Sequence, residues 1–147
     1  MSPAPSILCI VGRPGWAHDR KTDALAHALA GRYRIVKRFQ ADVTAADVEA
    51  ADGVLLYYWL QVERLPHLRP LLEERRDRLL IGVCSHYELE GAWREPALQT
   101  LDELACGVFV NNQVLFDEVV PLLRHPLHYT PNGVDTQLLR PPARGTP

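Results

Sequence analysis

The chain has 147 residues and 16.6 kDa, with 47% apolar and 23% charged side chains, the profile of one soluble globular domain that can bury a core without disulfide or metal staples. Sixteen basic and eighteen acidic side chains leave a net charge of −2, too even a balance for a nucleic-acid or anionic-membrane surface. Three cysteines in apolar runs read as reduced, buried thiols of a cytoplasmic protein, no apolar run approaches the roughly 18 residues of a membrane span, and residues 1–5 carry no signal-peptide pattern.

Residues 6–11, S-I-L-C-I-V, form a short apolar run stopped by Gly12, as in a strand covered on both faces. Residues 17–30 change to a helical period. Ala24, Leu25, Ala28 and Leu29 make one stripe, Arg20, Lys21 and Asp23 begin a polar face, and Gly31 follows as a stop. Residues 33–39, with Ile35 and Val36 between basic neighbours, predict an outer strand. Residues 44–50 predict a short helix with Thr44 as N-cap and Asp47 in its first turn. The run 53–59, G-V-L-L-Y-Y-W, is the most strand-prone of the chain.

A helix is expected over 65–76, with Leu68, Leu71 and Leu72 inward, residues 73–76 outward, and Pro66 and Pro70 near its start. Residues 79–84, L-L-I-G-V-C, read as another buried strand. A helix over 96–104 turns Leu98, Leu101 and Leu104 inward, a strand covers 107–110, and a helix over 113–123 aligns Leu115, Val119 and Leu122. Residues 127–130 give a last strand, and the Pro/Arg/Gly stretch 141–147 reads as a disordered tail or an interdomain linker.

Strands alternating with helices predict an α/β fold, a single Rossmann-like, doubly wound parallel sheet over 1–140 joined by right-handed crossovers. Strands 7–11 and 79–84 belong in its interior, because both are apolar on both faces. Ligands of such sheets sit beyond the carboxyl ends of the strands. That rule selects residues 12–18, 59–62, 85–91, 111–113 and 131–135.

In the first of these, Gly12 and Gly15 let backbone N–H groups approach a ligand and a helix N-terminus follows, although the same residues make an ordinary strand-to-helix turn. Neither a Walker A loop nor G-x-G-x-x-G is present. Ser85-His86-Tyr87-Glu88 offers His86 as a general base or a donor to a sugar or phosphate, or simply a loop histidine. Glu88 and Glu90 are either carboxylate bases or a solvated pair. Tyr57, Tyr58 and Trp59 are either sheet packing or a sugar-stacking platform. The other histidines, 18, 27, 67, 125 and 128, lack metal-ligand spacing, so no metal and no cofactor is expected. Cys9, Cys84 and Cys106 read as core fillers. Ser85 has no G-x-S-x-G elbow, and Val11 and Trp59 stand where a phosphorelay receiver needs acids.

The segment Pro131-Asn132-Gly133-Val134-Asp135, followed by Leu139 and Pro141, resembles the P-N-G-V-D-x-x-x-F-x-P signature of retaining GT-B glycosyltransferases of family GT4, with Leu139 in place of the usual Phe. Gly12 to Gly15 match that family's glycine loop, Gly82-Val83-Cys84-Ser85-His86 its strand ending in a loop histidine, and Gly107 to Asn111 its later strand, with Asn111 or Asn112 for the usual Ser. The resemblance spans about residues 7–141 and only the first half of the family's enzyme. It implies the N-terminal acceptor domain, with the donor-binding domain and its E-x7-E motif outside this sequence. It further implies His86 as the catalytic contact and Gly12, Gly15, Trp16, Ser85, Tyr87, Asn111, Asn132 and Asp135 as substrate-facing residues. Expected partners are a sugar acceptor, a nucleotide-sugar donor once a second domain or subunit is present, and a second copy or hetero-partner at the strand carboxyl ends. The alternatives are a non-catalytic partner subunit and a flavodoxin-like nucleotide-binding module.

Overall fold

The computed structural model describes residues 3–133. Residues 134–147, which include the expected contact Asp135 and the expected tail, lie outside them.

Six strands form one all-parallel sheet: β1 (Ser6–Val11), β2 (Arg34–Phe39), β3 (Gly53–Leu56), β4 (Leu79–Val83), β5 (Gly107–Val110) and β6 (Leu127–Tyr129), in the order β2-β1-β3-β4-β5-β6. The fold is α/β and Rossmann-like, and β1 and β4 are interior strands as expected. The helices are α1 (Ala17–Ala28), α2 (Ala45–Glu49), α3 (Leu60–Arg64), α4 (Arg69–Glu74), α5 (Arg94–Leu104) and α6 (Gln113–Val119). None is long and apolar enough to cross a membrane.

The chain steps from β1 to β2 in one direction and from β2 through β6 in the other. With right-handed crossovers throughout, α1 falls on one face and α2 to α6 on the other. The core divides accordingly. Leu8, Ile10, Val54, Leu56, Ile81 and Val110 pack with Val48, Val62, Leu72, Leu101, Leu115 and Val119 from the five helices in one large cluster. On the opposite face the buried apolar cluster among the described residues is just Cys9, Val11 and Tyr57, with Thr22 of α1 buried against the Tyr57 hydroxyl and Leu25 of α1 and Leu55 and Phe109 of the sheet packed beside them.

Three expectations are corrected. The predicted strand 53–59 stops at Leu56. The Gln61 Oε1 accepts the backbone N–H groups of Tyr57 (2.7 Å) and Tyr58 (3.3 Å), while its Nε2 donates to the Ile10 carbonyl (2.8 Å). This buried amide pulls the chain out of the ladder against the strand preference of the tyrosines, and α3 begins at once. The predicted helix 65–76 shrinks to α4 (Arg69–Glu74), and a separate short helix that was not expected, α3 (Leu60–Arg64), precedes it; Pro66 disfavours helical backbone at Leu65, between the two. Arg75, expected outward, turns back to donate to the Ala51 (2.9 Å) and Glu49 (2.8 Å) carbonyls at the end of α2. The predicted helix 113–123 ends at Val119 and tightens to a 3-10 turn at Val120–Leu122, because Pro121 has no N–H to continue it.

Other local signals hold. Thr44 and Asp47 form a reciprocal capping box, and Gly31 takes φ +82° just past α1. Gly82 in β4 is required by close approach: a Cβ there would collide with the Tyr57 carbonyl and the Phe109 ring.

Candidate functional site

The strand order reverses between β1 and β3, so the crevice at the carboxyl ends of these strands is the switch point of the sheet. Gly12 leaves β1 against the Tyr58 hydroxyl; a Cβ at Gly12 would lie 3.1 Å from it. His18, on the first turn of α1, stacks on Tyr57 at 4.5 Å between ring centroids and lies 5.8 Å from Tyr58. Burial, assisted by the Lys21 ammonium, pushes its imidazole down to about 4, so His18 is neutral at physiological pH. The Tyr58 hydroxyl donates to Gln40 (3.3 Å) and accepts from Arg64 (3.2 Å), whose guanidinium lies 5.6 Å over the ring. Of the three candidate platform aromatics, Trp59 and Tyr57 are buried packing residues and Tyr58 is half-buried.

The Gly15 N–H donates to Asp19 Oδ2 at 2.7 Å. The first turn of α1 therefore already holds a carboxylate where an anion was expected, and Lys37 bridges Asp19 (2.5 Å) and Asp23 (2.6 Å). Trp16 stands out of this loop 63% exposed, with the Arg13 guanidinium 5.1 Å over its ring.

The loop after β4 is organised by the sequence Ser85-x-x-Glu88, a reciprocal cap. Ser85 Oγ accepts the Tyr87 N–H (3.3 Å), and Glu88 Oε1 accepts those of Cys84 (2.9 Å) and Ser85 (3.1 Å). The Trp59 indole donates to the Glu88 carbonyl at 3.1 Å. Glu88 is thus not a solvated residue. Its Oε2 is buried with no hydrogen-bond partner among the described residues, and burial, opposed by the backbone donors, pushes its carboxyl up to about 7. Ser85 is held as a cap, whereas Tyr87 is 79% exposed. His86 Nδ1 lies 3.1 Å from Glu118 Oε2 on α6, leaving Nε2 for another partner. The two line a pocket of about 370 Å³ with Arg94 and Glu90.

Asn111 and Asn132 belong to a different concavity, a groove of about 950 Å³ on the sparsely covered face, which also takes in Tyr57 and Cys84. Cys84 Sγ donates to the Tyr57 carbonyl at 3.0 Å, and burial raises its thiol to about 11 and that of Cys9 to about 12. Neither is a ready nucleophile.

The expected site residues therefore fall into three neighbouring groups along one edge of the sheet: the Gly12–Trp16 loop, the Ser85–Tyr87 loop with Glu118, and the Asn111–Asn132 end of the groove. Sequence reading gave no role to His18 and Gln61, although both lie in segments selected by the strand-end rule, and missed Arg64 and Glu118; all four reach the site from helices. Only the S-x-x-E pattern could have revealed the burial of Glu88. No protein-family model, curated protein or solved structure matches the chain.

Proposed function

We propose that this chain is the acceptor-binding half of a retaining, nucleotide-sugar-dependent glycosyltransferase, inactive until a donor-binding domain or subunit closes over its strand ends. One observation carries the reading. The last strand, β6, delivers Pro131-Asn132-Gly133, the opening of the junction signature, at the same carboxyl edge as the loops after β1, β4 and β5. Trp16 and Tyr87 offer exposed rings to a sugar. His86, oriented through Nδ1 by Glu118, uses Nε2 to contact the acceptor or the transferred sugar. Gly12 remains the backbone contact toward the leaving diphosphate, since the Gly15 amide is engaged by Asp19. Asn111 and Asn132 shape the wall toward the second domain, as does Asp135 by its place in the signature. The diphosphate leaves the anomeric carbon with its electron pair as the acceptor oxygen bonds to that carbon and passes its proton to the departing phosphate oxygen, and fixed dipoles stabilise the charge that develops.

The test is a turnover assay of the purified chain, alone and fused to a donor-binding domain of the GT4 type. No turnover is expected alone, with turnover in the fusion. In the fusion, His86→Ala should lower kcat about 100-fold with an unchanged melting temperature. Turnover by the chain alone sinks the reading. Tight binding of a nucleotide sugar by the chain alone points instead to a nucleotide-binding module.

A further inference from the structure

An all-parallel sheet is normally covered on both faces. Among the described residues no helix covers the β3–β6 half of one face, and Leu55, Leu80 and Phe109 form the floor of the groove of about 950 Å³ there. The apolar stripe of α1 (Ala24, Leu25, Ala28), expected to bury itself, instead forms one side wall, and Ala24 and Ala28 are exposed. The charge of the groove lies at one end. Because α1 runs against the strands, Lys21 on its second turn stands toward their carboxyl ends and Ala28 toward their amino ends. The Lys21 ammonium lowers the His18 imidazole and opposes the rise of the Cys84 thiol, so it sits between α1 and the end of β4. Asn111, just past β5, lines the same end. Its Oδ1 accepts from Asn112 at 3.4 Å, which leaves Nδ2 as an unused donor among the described residues. No carboxylate lines the groove among the described residues, and Lys21 makes no ion pair with them.

We infer that this groove binds a single-chain amphiphile with an anionic head, a fatty carboxylate or an alkyl phosphate, its chain on Leu55, Leu80 and Phe109 and its head against Lys21 and the Asn111 amide. Size and chemistry both fit. Small-molecule sites of roughly 300–1,000 Å³ are mostly apolar with a few convergent polar groups. The floor runs along β5 from Gly107 to Asn111, about 13 Å at the strand rise, and a chain laid on it removes that apolar surface from water. A lone cation with no acid beside it supplies charge-assisted hydrogen bonds to an anion and repels a cationic head. The inference does not rest on the glycosyltransferase reading, and its test needs no turnover.

The experiment titrates the 147-residue chain with cis-parinarate, a fluorescent fatty carboxylate. Saturable one-to-one binding is expected, with displacement by laurate or lauryl phosphate, and the tighter competitor identifies the head group. Lauryl alcohol should compete about tenfold more weakly than laurate, and Lys21→Met should weaken parinarate binding by about the same factor. Ala24→Trp fills the groove from an exposed position on its wall and should abolish binding with an unchanged melting temperature. Ala28→Glu, which sets a carboxylate beside the chain, is the second variant and should weaken it severalfold. No saturable binding, or binding unchanged in both alanine variants, overturns the inference. So does a competition in which lauryl alcohol equals laurate. A dimer by sedimentation that Ala24→Trp converts to monomer also overturns it, by making a second copy the occupant.

Discussion

The two faces of the sheet are built from the same strands and differ in what covers them. Leu56 faces five helices and is fully buried, whereas Leu55, its neighbour in β3, faces the groove and is half-buried. The same holds for Ile81 and Leu80 in β4. Strand composition does not distinguish the members of these pairs. The difference comes from the direction of each crossover, which the hand of the connection converts into a choice of face. Apolarity in such a strand therefore marks where cover is needed, not where it has been supplied.

The largest expected effect separates the faces directly. Leu56→Ala should lower stability by about 2–5 kcal/mol, the usual range for a sealed core site, and Leu55→Ala by less than half as much. Denaturant titration of both variants measures the ratio, and equal losses would mean that the faces are equally packed.

Next comes a difference in pH response. Glu88, tied to the covered side through Trp59, has a carboxyl raised from 4.5 to about 7. Its protonated form stabilises the fold below pH 4.5, and that contribution disappears as pH rises through 7. His18, stacked on Tyr57 on the open side, is lowered from 6.5 to about 4. Its contribution is complete above pH 6.5 and disappears as pH falls through 4. The slopes oppose each other across pH 4.5–6.5, so the native chain should show little pH dependence there. Glu88→Gln should leave stability rising with pH over this window, and His18→Gln should leave it falling. Melting temperatures at half-unit pH steps check both signs, and parallel profiles for the two variants would contradict the assignment.

The smallest effect concerns how α1 is held. Its ionic ties to the edge strand are the Lys37 bridges to half-buried Asp19 and exposed Asp23, and ion pairs at a protein surface contribute little and are screened by salt. Lys37→Met should shift the melting temperature by no more than about 2 °C. It should also abolish any salt dependence of amide exchange in α1, while exchange in α5 stays unchanged.

How far the sequence could be read follows the same division. The apolar runs around Leu8, Ile81 and Val108 announced buried parallel strands because both of their faces are apolar. Thr44-x-x-Asp47 and Gly31 announced their caps through chemistry confined to a few adjacent residues. What escaped depended on distant partners. Tyr57 and Tyr58 left the ladder because Gln61 took their amides, and the α1 stripe remained open because no crossover returned over it. His18 is held neutral by burial against Tyr57 and Tyr58 in the turn after β3 and by the nearby Lys21. Among the site residues, Gly12, Ser85 and Asn111 were found by the strand-end rule, whereas Arg64 and Glu118 approach from helix surfaces that the rule does not cover.

Gln61 bears on how freely this scaffold could be rebuilt. Its amide donates to the end of β1 and accepts from the turn after β3, so it requires a donor and an acceptor on one neutral group at that length. Glutamate lacks the donor and would direct an oxygen at the Ile10 carbonyl. Leucine would leave two backbone N–H groups and a carbonyl unpaired in a buried place. Exposed Glu63 and Arg64, only a turn away, carry no such constraint. The crevice where the strand order reverses is therefore an editable rim around one uneditable letter, and diversification of its loops for a new ligand would have to proceed around Gln61.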